Sequence, residues 1–478
     1  MSGFQPPSIQ NEPVFVADGR YPSQTLLAKR HRFKTIVRSA KLELQEMTAE
    51  TSVMNDIFAD LQWRGLVHQT TADEQLPAWL NSQMRTLYAG FDPTADSLHV
   101  GSLLPLLMLR RFQKAGHKPI AIAGGATGMI GDPSGKSAER NLLSAEQLAA
   151  NLAGIEKQMR QLLDFDSKEN GAILVDNNDW MSQFSYIEFL RDVGKNFPVN
   201  VMMAKDSVKS RLSSEAGLSY TEFSYMLLQA YDFVHLNQTH GCQLQIGGSD
   251  QWGNLTAGID LARRMHGVQL YGLTCPLLTK SDGSKMGKTE SGAIWLSAER
   301  TSPFAFYQYW VNVDDEDAGK CLRFLTELPH EEIEALDQLR ADEPHKRASQ
   351  KKLAEELTRL IHGDSGLSKA MQATSVFFGG EIADLSDTDL GEIFPDVPNS
   401  NFPFSVLEQG LPVIDALGAS GLCESKSKAR RAIKEGGAYV NNKRVDDENA
   451  VLTRADLASE TMIVLRRGKK KYAVLRFG

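Results

Sequence analysis

Lys285 and Lys288 lie three residues apart in SDGSKMGKTES, a run from Ser281 to Ser291 in which only Met286 has much apolar surface to bury. Its glycines, serines and threonine make the segment flexible and rich in hydrogen-bond donors. Such a loop is not expected to build a core. It is expected to carry two mobile cations to a place where negative charge develops. A second candidate is FDPTADSLHVGS, Phe91 to Ser102, which sets Thr94, His99 and Gly101 at the entrance to a helix. Free N–H groups and the dipole at such an entrance favour anions, and a glycine lets a ligand approach the backbone. Taken alone, the same residues fit a plain capped helix with a solvated histidine. A third segment, GGATGMIGDPSGKSAER (Gly124 to Arg140), invites comparison with a phosphate-binding P-loop. The spacing fails, because the position that needs the first glycine is Ile130 and Gly131 stands one residue too close. The segment is still expected to be a flexible loop that offers Lys136 and Arg140 to an anion.

Polar chemistry is also expected inside a helix. In FSYMLLQAYDFVHL, Phe223 to Leu236, Tyr225, Gln229 and Asp232 fall at i, i+4 and i+7 among apolar residues. That spacing puts a phenol, an amide and a carboxylate on one face. A largely apolar helix is buried, so the stripe is expected to line an internal cavity, with a purely structural hydrogen-bond network as the alternative. IGGSDQWGN, Ile246 to Asn254, ends a strand in two glycines and then offers Asp250 and Gln251, a setting suited to a ribose hydroxyl.

These groups need elements to hold them. TLYAGF, PIAIAGG, AILVDNN and CQLQIGG read as short strands, and SLLPLLMLRRFQKAG (Ser102 to Gly116) as a helix with a glycine stop. Alternation of strand and helix predicts an α/β fold, a parallel sheet with helices on both faces. Ligands of such sheets bind beyond the carboxyl ends of the strands, where the loops above lie.

The chain has 478 residues, 42% hydrophobic, enough for two to four domains. No run of about 18 apolar residues is present, so no membrane span is expected. Cys242, Cys275, Cys321 and Cys423 form no C-x-x-C pair, which argues against a structural zinc site and for a reducing compartment. No protein-bound metal is expected. The net charge of −8 is unevenly spread. Gly19 to Lys41 holds seven Lys or Arg and no acid, Lys426 to Arg444 seven against one acid, and Thr461 to Gly478 six against none. The 1–53 region is expected to be a disordered extension rather than a targeting segment. DVPNSNFPFS, Asp396 to Ser405, reads as a linker to a basic tail.

The motifs together carry a resemblance. HVGS, His99 to Ser102, resembles the HIGH signature of class I aminoacyl-tRNA synthetases, and KMGKT, Lys285 to Thr289, resembles their KMSKS loop. YAGFDPTADSLHVG, GGATGMIGDPSGK, TEFSYMLLQAYD, QIGGSDQWGN and LLTKSDGSKMGKTESG look like the blocks of the bacterial tyrosine-specific enzymes, in the same order. The resemblance implies a Rossmann-like catalytic domain over 54–300, a helical anticodon-binding domain over 301–395, a linker over 396–404 and an S4-type RNA-binding domain over 405–478. It implies ATP bound between the HVGS helix and the lysine loop, with Mg²⁺ accompanying the nucleotide. Thr94, His99, Lys285, Lys288 and Thr289 would act on the phosphates, and Asp92, Gly101, Ser102, Gly248 and Asp250 would contact the nucleotide. The signature's second histidine is replaced here by Ser102, whose hydroxyl reaches less far.

By the same resemblance, Asp232 and Tyr88 would flank the phenol of L-tyrosine. Tyr225, Gln229 and Asp132 would hold its ammonium, with Gln251 near its carboxylate. A tryptophan-specific enzyme is the nearest rival, and a carboxylate with a tyrosine suits a phenol better than an indole. In the tail, Ser425 would cap a helix whose Lys426, Lys428, Arg430 and Arg431 meet tRNA. A cytoplasmic homodimer is implied. The competing class is a non-catalytic RNA-binding protein on the same scaffold, which would be expected to have lost several of these residues.

Overall fold

The computed structural model describes residues 56–134, 143–213, 217–289, 292–382, 385–395, 397–468 and 471–478. The expected extension over 1–53 and the Lys136 and Arg140 loop lie outside the described residues.

The central sheet has six strands: β1 (Gln69–Thr70), β2 (Thr86–Phe91), β3 (Lys118–Ala123), β4 (Ile173–Asp176), β5 (Leu244–Gly248) and β6 (Tyr271–Cys275). Their order is β1-β6-β5-β2-β3-β4, parallel except for β1, which pairs antiparallel with β6 at the edge. Side chains alternate across β2. Leu87, Ala89 and Phe91 join the core on one face, and Tyr88 joins Ile120, Ile122 and Phe233 on the other. Burial on both faces explains why these strands read as apolar runs.

Helix α1 (Val100–Lys114) follows β2, α2 (Gly125–Ile130) follows β3, and the single turn α3 (Asn178–Met181) follows β4. The helix α4 (Tyr220–His240) precedes β5, and α5 (Trp252–His266) follows it. Ser219 caps α4 by accepting the Glu222 N–H at 3.2 Å, and Gly241 ends the helix in the left-handed conformation, φ 63°. The lysine loop leads into a small hairpin, β7 (Lys288–Thr289) with β8 (Gly292–Ala293).

Helices α6 (Pro303–Val311), α7 (Asp315–Leu325) and α8 (Ala348–Phe377) dominate the next unit. Gly363 breaks α8, with φ 72° and ψ 179°, after which the helix resumes. No helix among the described residues is long and apolar enough to cross a membrane.

The last sheet is built from β9 (Asn399–Phe402), β10 (Ala438–Val440), β11 (Lys443–Arg444), β12 (Met462–Arg467) and β13 (Lys471–Phe477), in the order β11-β10-β12-β13-β9. Asn441 and Asn442 both take positive φ, 47° and 62°, and make the tight hairpin turn that their sequence predicts. Helix α9 (Lys426–Lys434) packs Ala429, Ala432 and Ile433 against this sheet, with Ser425 as its cap.

The expected linker over 396–404 is corrected by β9, which pairs in parallel with β13 from Asn399 to Phe402. Prolines at 398 and 403 bracket the strand, and the Pro398 carbonyl accepts the Val474 N–H at 2.9 Å, a position that needs no proline N–H. The sheet also leans on the helical unit. Met462, Val464, Tyr472 and Val474 pack with Ala373 and Val376 of α8, and Asn442 Nδ2 donates to the Val376 and Gly380 carbonyls at 2.9 Å each.

Candidate active site

A cavity of about 320 Å³ opens at the carboxyl ends of the parallel strands. Tyr88, Asp92, Thr94, His99, Gly101, Ser102, Asp132, Tyr225, Gln229, Asp232, Gly248, Asp250, Gln251, Lys285 and Lys288 all line it. Residues from five separate sequence blocks thus meet in one place. Thr289 stands in β7, beside Lys288.

The inner end is dry and polar. Asp232 is 3% exposed, and its two oxygens accept from Trp180 Nε1 at 2.9 Å and Asn177 Nδ2 at 3.1 Å. Burial pushes its carboxyl up to about 7, against the lowering effect of those two hydrogen bonds, and the nearby Asp92 and Asp176 push the same way as burial. Tyr88 is 1% exposed, and burial holds its phenol well above the usual range. The Tyr88 hydroxyl, Gln229 Oε1 and Gln245 Oε1 have no hydrogen-bond partner among the described residues. Leaving one such buried group unmatched costs about 1–3 kcal/mol. All three belong to residues lining the same cavity, which is the pattern of a site shaped for a polar ligand.

Between the ends runs a chain of amides and acids. Gln229 Nε2 donates to Gln251 Oε1 at 3.2 Å, and Gln251 Nε2 to Asp132 Oδ2 at 2.6 Å. Asn254 Nδ2 reaches Gln251 Oε1 at 3.1 Å and Ser134 Oγ at 3.3 Å. Tyr225 donates to Asp92 Oδ2 at 3.2 Å, and Thr127 to Asp92 Oδ1 at 2.8 Å. Asn177, Trp180, Gln245, Asn254 and Thr127 were not singled out from the sequence.

The outer end is cationic. His99 caps α1, its Nδ1 accepting the Ser102 N–H at 3.2 Å, which in the neutral ring leaves the proton on Nε2. Ser102 Oγ lies 3.5 Å from the same nitrogen. Gly101 makes room for the His99 ring, because a Cβ there would stand 2.8 Å from His99 Cε1. Lys285 and Lys288 are exposed at the cavity mouth and make no ion pair with a described residue. The first of the two residues between them departs from expectation. Met286 is 4% exposed and belongs to the main core, so the loop is pinned at its centre while its lysines stay in water. A lone methionine reaches a core when a neighbouring helix supplies the partner, as Cys321 of α7 does here. Among the described residues, no group of three or more His, Cys, Asp or Glu side chains could hold a metal.

Lys426, Lys428, Arg430 and Arg431 are exposed along α9, but acids accompany three of them. Lys426 pairs with Asp415 at 2.6 Å, Lys428 with Glu424, and Arg431 with Glu435 at 2.7 Å. Exposed pairs of this kind are worth about 0–1 kcal/mol, so a nucleic-acid phosphate can displace them.

Residues 81–379 match the family described as tRNA synthetases class I (W and Y), and residues 389–475 match the tyrosine–tRNA ligase SYY-like C-terminal domain. The chain is 60% identical over 427 residues to the tyrosine–tRNA ligase of Rhodopirellula baltica, covering 89% of this chain and 97% of that one. It is 53% identical to the enzyme of the same name from Roseiflexus castenholzii, covering 88% and 100%. A C-terminally truncated mitochondrial tyrosyl-tRNA synthetase from Coccidioides posadasii matches in structure with a TM-score of 0.59 at 31% identity, covering 72% of this chain and 98% of that one.

Proposed function

The chain belongs to the class I tyrosyl-tRNA synthetases, and from that premise we propose that this cavity activates L-tyrosine with ATP and hands the tyrosyl group to tRNA. The observation that carries this assignment is the gradient along the cavity, from a buried phenol and carboxylate at one end to two exposed lysines at the other. A substrate phenol between Asp232 and Tyr88 donates to the carboxylate and accepts from the unmatched hydroxyl. Its ammonium meets Tyr225, Asp132 and the open Gln229 Oε1, and its carboxylate points past Gln251 toward the mouth. Gln245 adds a further acceptor beside this path.

ATP then lies between α1 and the lysine loop, its ribose toward Asp250 and the Gly248 backbone, with Asp92 and Gly101 near the nucleotide. The tyrosine carboxylate oxygen attacks the α-phosphorus, and the bond from that phosphorus to the pyrophosphate oxygen breaks. Charge moves onto the departing pyrophosphate, where Lys285 and Lys288, with Thr289, Thr94 and His99 Nε2–H, bind it better than they bind ground-state ATP. Ser102, beside His99, lines the same space. A terminal ribose hydroxyl of tRNA next attacks the tyrosyl carbonyl and AMP leaves. No side chain serves as nucleophile, so positioning and electrostatics carry the rate. Mg²⁺ would accompany the nucleotide's phosphates. Tyrosine-dependent ATP–pyrophosphate exchange tests the assignment. Exchange with tyrosine and none with tryptophan is expected, and the reverse would overturn it.

The helical unit over 301–395 and the domain after it are proposed to hold tRNA. Replacing Lys428, Arg430 and Arg431 together with alanine should weaken tRNA binding. It should also flatten the slope of log K against log salt by roughly 0.7–0.9 for each phosphate no longer neutralised. Titrations at several salt concentrations read this, and an unchanged slope would make α9 a solubilising face only.

A homodimer is proposed through the sheet edge beyond β4. Tyr186, Ile187, Val199, Val201 and Met203, on the segment after β4, and Tyr220, at the start of α4, are exposed, with Ile187 at 69% and the Tyr186 and Tyr220 hydroxyls 3.3 Å apart. Exposed apolar side chains of this kind suit a second copy, which buries the same residues by symmetry. Ile187→Asp should shift sedimentation from dimer to monomer, whereas a wild-type chain that sediments as a monomer would exclude this face. The four buried, unpaired cysteines agree with a cytoplasmic setting.

A further inference from the structure

We propose that Tyr309 and Lys320 are positioning residues that latch the lysine loop in its working place, an inference resting on the reading that Lys285 and Lys288 act on ATP. Both residues belong to the helical unit, Tyr309 on α6 and Lys320 on α7. Neither touches the cavity. Each instead holds the backbone of the loop at a different point.

Tyr309 Oη accepts the Gly287 N–H at 2.7 Å, on the residue next to Lys288. Lys320 Nζ donates to the Thr279 carbonyl at 2.9 Å, and Thr279 is bridged antiparallel to Lys285. Between these points the Met286 sulfur lies 3.4 Å from Cys321 Sγ. The loop is therefore fastened ahead of Lys285 and again between the two lysines, by residues of α6 and α7. Gly287 completes the arrangement. Its φ is +81°, and a Cβ there would stand 3.0 Å from Val100 Cβ, at the start of the helix that His99 caps. One residue thus meets the helical unit through its N–H and the HVGS helix through its missing side chain.

The energetics favour a latch over incidental packing. Gly287 is buried, so without the Tyr309 hydroxyl its N–H has no water to replace the acceptor. That cost falls only on the fastened loop, because a released loop meets solvent. Lys320 places an ammonium on a neutral carbonyl, a charge-assisted bond aimed at the loop backbone. Removing either group lowers the fraction of enzyme whose lysines are in register with the leaving group and leaves the tyrosine pocket as it was.

Single-turnover adenylate formation and limited trypsin digestion of the full-length protein test this, with Lys288→Ala run alongside. Tyr309→Phe, which keeps the ring against Trp310, and Lys320→Met should each slow adenylate formation roughly tenfold at unchanged tyrosine affinity. Both should speed trypsin cleavage after Lys285 and Lys288. If Lys288→Ala slows the step while both helical variants keep the wild-type rate and protease resistance, the latch is wrong and the lysine assignment stands. If Lys288→Ala also keeps the wild-type rate, the assignment beneath the latch fails with it. A rate loss matched by lost tyrosine affinity would mean general loosening of the fold and would overturn the latch as well.

Discussion

Asp232→Ala is expected to lower kcat/KM for tyrosine activation about 10³-fold, corresponding to about 4 kcal/mol. The substitution removes the acceptor for the substrate phenol and strands the Trp180 and Asn177 donors, all in a site closed to water. The same logic makes phenylalanine a poor substrate, because it leaves Asp232 and Tyr88 facing nothing; the factor on the order of 10⁵ is that known for a tyrosyl-tRNA synthetase and not one deduced from this geometry. The raised carboxyl adds a pH signature. With its pKa near 7 in the fold against 3.8 as the ordinary value, Asp232 favours the folded protein as the neutral acid. That contribution is complete below the ordinary value and is lost as pH rises through about 7. Asp232→Asn, neutral throughout, should remove that part of the pH dependence of stability. Steady-state kinetics and thermal melts read both effects, and near-normal tyrosine kinetics in Asp232→Ala would take the residue out of the pocket.

The lysines should fail differently. Lys285→Ala and Lys288→Ala are each expected to slow adenylate formation by about 10²–10³, the effect of removing one preorganised donor, roughly 2.7–4 kcal/mol. ATP affinity should change far less, because the charge they meet arises only as pyrophosphate departs. Rapid-quench kinetics separates the two constants. Equal losses in affinity and rate would make the lysines ordinary ground-state contacts.

Sequence patterns reached the architecture because the strands announce themselves. TLYAGF coincides with β2, and the polar stripe Tyr225, Gln229 and Asp232 faces the cavity as its spacing requires. The missed residues were hidden by local context. Gln245 sits within a strand otherwise apolar from Leu244 to Ile246, and that polar interruption of a buried strand was the available signal. Asn177 and Trp180 follow β4, one just before and one within a four-residue helical turn too short for any periodicity, though the two asparagines closing AILVDNN stood at a strand end where ligands gather. The anchoring of Met286 was not legible at all. Its partner Cys321 is 35 residues away and on another unit. The linker reading failed because proline and asparagine are poor strand formers in general, yet Asn399–Phe402 needs only one partner at a sheet edge.

The order of strands in the last sheet has a consequence for synthesis. β13 is made after the other four strands, yet it lies inside the sheet between β12 and β9. Residue 399 therefore waits for residue 471, an interval of roughly 4–14 s at about 5–20 residues per second. Until then β9 has no partner, and the Ala373 and Val376 face of α8 lacks Tyr472 and Val474. A nascent chain in that interval offers an unpaired edge and an apolar face to chaperones and proteases. A premature stop only a few residues before Lys471 would extract the strand that joins two others, leaving a protein able to carry its catalytic cavity but marked for disposal by the surface it could not close.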